Sequence, residues 1–162
     1  MSFTAFGAIY KATMSLLPEK LDSPEAKAML IAIAMQESRW DERRQIGGPA
    51  RGFWQFEFGG IKGVLNHKAS KPMITAVLAR LDYDTAPDTS YRAIEHNDVL
   101  AFAYARCLLW TLPQALPQRH EVEEGWTQYI DAWRPGKPHP HSWDGFFNTA
   151  WEIVQPPLEE TP

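Results

Sequence analysis

An unbroken apolar run, Ala28 to Met35, passes directly into Gln36-Glu37-Ser38-Arg39, and this junction constrains the chain more than any other stretch. A helix that is apolar on every side has to be buried by the rest of the protein. Its start is written into the sequence. Ser23 suits the cap, Pro24 the first helical position, and Glu25 the positive end of the helix dipole. At about 100° per residue, Ala26, Leu30, Ile33, Ala34 and Glu37 fall on one face. Glu37 therefore continues a core stripe at the carboxyl end of the most buried helix. Desolvation and the negative end of the dipole both favour its neutral form, and a protonated carboxyl near neutral pH is what a general acid requires. Arg39, Arg43 and Arg44 lie close in sequence and oppose that effect if they approach the carboxylate.

A glycine-rich segment follows, Gly47-Gly48-Pro49-Ala50-Arg51-Gly52, and then Phe53-Trp54-Gln55-Phe56. Glycines let a backbone approach a ligand closely, and an aromatic strip with one amide suits the faces and hydroxyls of a sugar. Gln36-Glu37-Ser38-Arg39 together with Gly48-Pro49-Ala50-Arg51-Gly52-Phe53-Trp54-Gln55 resembles the "ES" and "G-x-x-G-x-x-Q" motifs of the lysozyme superfamily. The similarity is to the lytic transglycosylase and goose-type lysozyme branches. Over nearly its full length the chain also resembles small transglycosylase-like proteins of tailed bacteriophages, which share the ending seen here as Trp133-Arg134-Pro135-Gly136-Lys137-Pro138.

The resemblance implies a lysozyme-like, mainly α domain around one buried central helix, with a small loop or hairpin region beside a cleft. It implies Glu37 as the acid/base, Ser38 as a residue that helps position it, and Gln55 as a lining of the glycan groove beside Gly52 and Trp54. Phe53-Trp54 stands where the family usually has Leu-Met, a change in the groove wall. Trp133-Arg134-Pro135-Gly136 takes the place of the family's Tyr-Asn-Ala-Gly element, with only the aromatic and the glycine in common. On that basis Tyr129, Trp133 and Arg134 are expected at the glycan. Trp126, Tyr129 and Trp133 share a helix face, which fits a packing stripe equally well.

A conventional glycosidase sets a second carboxylate across the bond. Asp41, Glu42 and Glu57 are the nearest in sequence, and none falls in a distinctive pattern. A transglycosylase needs only one carboxyl group. The expected activity is therefore cleavage of the MurNAc-GlcNAc β-1,4 bond of peptidoglycan by a lytic transglycosylase. The rivals are a hydrolytic goose-type muramidase and a non-catalytic tail or virion component that retains the fold.

Other features narrow the partners. The formal charge of −4 disfavours nucleic acid, whose recognition needs a basic face. Seven tryptophans in 162 residues, several among polar neighbours, suit carbohydrate. Cys107 is the single cysteine and lies in an apolar run, as a core residue would. His139 and His141 flank Pro140 at a spacing that matches no zinc motif, so neither metal nor cofactor is expected. The first twenty residues lack a basic region ahead of a long apolar stretch, and no run is long enough to span a membrane. Without a signal peptide, a wall-cutting enzyme is expected in a phage virion, associated with its tail, or in the host cytoplasm before lysis, with peptidoglycan glycan strands and other virion proteins as partners.

The remaining pattern predicts helices over 3–17, 59–67, from Ser70 to Leu81, over 95–110, 121–133, and from a Ser142 cap to about Val154. Asp82 to Tyr91 reads as a polar loop. One domain is expected over residues 1–155, followed by a polar tail, 156–162.

Overall fold

The computed structural model describes residues 3–155, and the expected polar tail lies outside the described residues. The fold is mainly helical. Eight α-helices follow in order among the described residues: α1 Phe3–Met14, α2 Pro24–Ser38, α3 Phe58–Asn66, α4 Lys71–Arg80, α5 Pro87–Ala93, α6 Asp98–Trp110, α7 Val122–Trp133 and α8 Pro140–Val154. A short 3₁₀ turn, Glu19–Leu21, joins α1 to α2. No strand forms among the described residues. The segment between α2 and α3 holds only two isolated antiparallel bridges, Arg44 to Arg51 and Arg51 to Phe56.

The central helix begins and ends as its sequence dictates. Ser23 Oγ accepts a hydrogen bond from the Ala26 amide at 3.1 Å, and Pro24 opens the first turn. From Ala28 to Ala34 every side chain is buried. α8 covers the helix most extensively, and α6 also packs on it. At its carboxyl end Arg39 and Trp40 both adopt left-handed backbone, with φ of 51° and 61°, which stops the helix and turns the chain into the glycine-rich segment. α6 is the other core helix. Asn97 caps it through the Leu100 amide at 3.0 Å, and Leu100 to Cys107 are all buried.

Two features depart from the sequence pattern. The stretch 82–91 is not all loop, because Pro87 opens the short helix α5. Its Ser90 is buried and accepts from the Tyr104 hydroxyl at 2.7 Å, a tertiary bond that local polarity does not announce. Ser142 does not cap α8 either. The helix starts two residues earlier at Pro140, and Ser142 Oγ donates instead to Gln36 Oε1 at 2.9 Å. Gln36 Nε2 in turn donates to the His139 carbonyl at 3.0 Å. This clasp ties the end of α2 to the start of α8 and fixes the proline-rich connection between α7 and α8.

The glycine-rich segment is pinned by arginines. Arg43 Nη2 donates to Asp98 Oδ2 at 2.9 Å, Arg44 pairs with Glu95 at 2.8 Å, and Arg51 also meets Glu95. Gly52 has φ of +71°, and a Cβ there would stand 2.7 Å from the Ile94 carbonyl oxygen, so the close packing of this turn on the end of α5 requires glycine. No helix among the described residues is long and apolar enough to cross a membrane.

Candidate active site

A cleft of about 890 Å³ runs beside the end of α2. Glu37 lies in its wall, with Gln55, Phe56 and Glu57 from the glycine-rich side and Tyr129, Trp133 and Arg134 from α7 and its cap. The sequence separates these groups by up to about a hundred positions. α7 reaches the end of α2 through a side-chain contact, Tyr129 to Glu37.

Glu37 is half-buried, and its Oε1 accepts a hydrogen bond from the Tyr129 hydroxyl at 2.7 Å. Burial pushes the Glu37 carboxyl up from its ordinary 4.5 to about 7; the Tyr129 bond draws it down, and the nearby Glu57 pushes it further up. The three neighbouring arginines do not reverse this, because their guanidinium groups are engaged elsewhere. Arg43 and Arg44 hold Asp98 and Glu95, and Arg39 lies over the Phe146 ring at 5.2 Å. A carboxyl poised near neutrality in an open cleft is suited to give a proton and take one back.

Tyr129 is buried, with its ring stacked on Trp143 at 5.2 Å and an interplanar angle of 11°. It serves the site from below, as the donor that orients Glu37, and forms part of the cleft floor. Burial and the Glu37 carboxylate hold its hydroxyl well above the usual phenol range, so it stays a donor. Tyr129→Phe is expected to raise the measured Glu37 pKa by roughly one pH unit, the worth of a charge-assisted bond of ~1.5 kcal/mol. Carbon-13 NMR titration of the carboxyl checks this; an unchanged or lower pKa would show that Tyr129 does not stabilise the anion.

Several expected groove residues stand elsewhere. Trp54 is 1% exposed, with its indole N–H donating to the Leu30 carbonyl at 2.9 Å and its ring edge-on to Phe102 at 5.1 Å. It is a core residue, as is Phe53 before it, and the chain turns at Gln55, whose backbone is left-handed with φ of 48°. Ser38 is also buried. Its Oγ donates to the Ala34 carbonyl at 3.0 Å and accepts from the Trp40 amide at 3.2 Å, so it shapes the helix end that carries Glu37 and does not face a ligand. Gly52 is buried under α5 and acts through backbone conformation. The tryptophans as a group are less available than their sequence neighbours suggest, since Trp40, Trp54, Trp143 and Trp151 are all in the core.

Gln55 does line the cleft, with its Nε2 tied to the Gly52 carbonyl at 2.9 Å and the Glu42 carbonyl at 3.3 Å. Both bonds fix the amide from the protein side. Trp133 is half-buried; its Nε1 donates to the Trp54 carbonyl at 2.8 Å, and its ring meets Phe56 edge-on at 5.9 Å. Arg134 is the left-handed cap of α7, exposed at the cleft. The α7 stripe thus divides its work. Trp126 packs on Trp143 at 5.8 Å, Tyr129 reaches Glu37, and Trp133 forms wall.

Of the three acidic residues nearest in sequence, Glu42 and Glu57 line the cleft and Asp41 does not. Gln36, Lys137 and His139 also line it and were not singled out as ligand contacts by the motifs. Lys137, His139 and Arg134 line the same cleft as Glu37, Glu42 and Glu57. Among the described residues no cluster of three or more metal-ligating side chains forms. Cys107 is buried on α6, and burial pushes its thiol up to about 12. Comparison with family models, with curated proteins and with solved structures finds no match, so this cleft and its residues carry the functional argument.

Proposed function

We propose that the chain cleaves the β-1,4 bond between MurNAc and GlcNAc in peptidoglycan, as a lytic transglycosylase with a lysozyme-like arrangement. One observation carries the reading: a carboxyl raised to about 7, held by Tyr129, at the wall of a cleft large enough for sugar rings. The resemblance of the segments around Glu37 and Gln55 to the transglycosylase motifs supports it.

In this mechanism Glu37 protonates the glycosidic oxygen as the C1–O bond breaks. The resulting carboxylate then takes the proton of the C6 hydroxyl. The C6 oxygen bonds to C1, which closes a 1,6-anhydro ring and restores protonated Glu37. No water enters the balance. Gln55 and the Trp133 ring form wall against the sugars, and Arg134 with Lys137 supplies charge for the lactyl or peptide carboxylates. The setting proposed is a tailed-phage particle, or a host cell before lysis.

A second reading, hydrolysis, is favoured by Glu57. It lines the same cleft and acts electrostatically on Glu37, as a second carboxylate would. Digestion of purified peptidoglycan followed by mass spectrometry separates the two. The transglycosylase yields muropeptides lighter by one water than the hydrolase products. Products of full mass would favour hydrolysis, and loss of that activity in Glu57→Gln but not in Glu42→Gln would then give Glu57 the base role. A folded protein that leaves peptidoglycan uncut would remove both readings and favour a structural role in the particle.

A further inference from the structure

A second cavity, of about 620 Å³, shares no lining residue with the Glu37 cleft. α6 contributes to both: Leu108 to the cleft, and Arg106, Leu109 and Trp110 to the second cavity. Leu112 and Leu116 from the following loop extend its apolar wall. Lys20 from the 3₁₀ turn, with Ser23 and Glu25 at the start of α2, lines another side.

Arg106 is the feature that packing does not explain. The residue is 3% exposed, and its Nε donates to the Leu21 carbonyl at 2.7 Å. Its guanidinium lies 5.5 Å from the centre of the Trp110 ring, and the Lys20 ammonium lies 5.3 Å from the same ring. Among the described residues it has no ion-pair partner, and its buried Nη1 has no hydrogen-bond partner. Burial lowers its pKa only to about 10, so the group remains charged at neutral pH. A guanidinium offers five donors, and buried charges are normally paired. One carbonyl and one indole face are its close contacts, and the Asp22 carboxylate and Tyr10 favour its charge without bonding to it.

We propose that this cavity binds an organic monocarboxylate with an apolar body, its carboxylate paired with Arg106 and its body against Trp110, Leu109 and Leu112. The charge count selects the class. On the cavity wall Arg106 and Lys20 outnumber Glu25 by one charge, which suits a monoanion, and Glu25 opposes a dianion such as phosphate. The apolar wall asks for several carbons, which a bare anion lacks. Lys20 at the mouth favours the approach of an anion. The inference rests on Arg106 and does not depend on glycan chemistry at Glu37.

The test is an NMR titration of the full chain with sodium hexanoate, with 1-hexanol and inorganic phosphate in parallel. Hexanoate is expected to shift the amide signals of Arg106, Trp110 and Leu112 saturably, and to bind at least ten-fold tighter than hexanol. Phosphate should leave those signals in place. Arg106→Gln should abolish the preference for the acid over the alcohol. Because that substitution disturbs a buried site, Leu112→Glu provides a second variant. Leu112 is a half-buried loop residue, and a fixed carboxylate there should weaken hexanoate at least ten-fold with the fold intact. Absence of binding, equal binding of hexanol, shifts confined to the Glu37 cleft, or unaltered binding by Leu112→Glu would each overturn the proposal.

Discussion

Glu37→Gln should cut peptidoglycan at a rate lower by at least the ~10²–10⁴ typical of lost acid-base catalysis, while its fold is kept. The amide preserves size and can still accept from Tyr129, but it neither gives nor takes a proton. The wild-type rate should fall as pH rises through about 7, because the first step requires the protonated carboxyl. Stability should show the complementary effect. The folded pKa lies above the ordinary 4.5, so the contribution of Glu37 is fully present below pH 4.5 and is lost as pH rises through about 7. Above that range the ionised, partly buried carboxylate costs up to ~3 kcal/mol, which the glutamine variant escapes. Denaturant melts of the two proteins at pH 4 and pH 8 should therefore diverge, with the variant gaining at the higher pH. Single changes of Asp41, Glu42 and Glu57 to the amide should cost far less activity under the transglycosylase reading. Near wild-type clearing by Glu37→Gln would sink the assignment whatever the stability data show.

The central helix was legible because its signals are local. A cap, a proline, a run of apolar residues and an abrupt polar end lie within seventeen consecutive positions, 23–39. Glu37 was legible for the same reason, and so was the sign of its pKa shift, since burial at a helix end follows from the pattern alone. The role of Tyr129 was not. It depends on a side-chain contact between residues 92 positions apart, and helical spacing reveals only that Tyr129 shares a face with Trp126 and Trp133. The arginines near Glu37 were ambiguous for a related reason. Proximity in sequence suggests that they lower its pKa, but Glu95, between α5 and α6, and Asp98, at the start of α6, draw two of them away. Lys137 and His139 reach the cleft through the clasp of Gln36 with His139 and Ser142, a tertiary bond with no local signature. The composition of the 134–140 connection, rich in proline and cations after an aromatic helix, was the only available hint.

Trp54→Ala should destabilise the protein by roughly 3–5 kcal/mol, the usual cost of emptying a buried aromatic site. Adjacent aromatic and amide groups in Phe53-Trp54-Gln55-Phe56 invite a single role, but Phe53, Trp54 and Phe56 are all buried and only Gln55 is partly exposed. The left-handed backbone at Gln55 sends its amide to the cleft and Trp54 to the core, between the Leu30 carbonyl and the Phe102 and Trp40 rings. Removing the indole deletes those contacts and leaves the space between α2 and α6 unfilled. At ~2–4 °C per kcal/mol for a domain of this size, the melting temperature should drop by about 10 °C. Trp54→Phe should fall between the two, since it keeps most of the ring volume and loses the N–H bond to Leu30. Activity of Trp54→Ala, measured well below its melting point, should track the folded fraction. A variant that melts with wild type and has lost turnover would instead return Trp54 to the groove, and the inward turn at Gln55 would then be wrong.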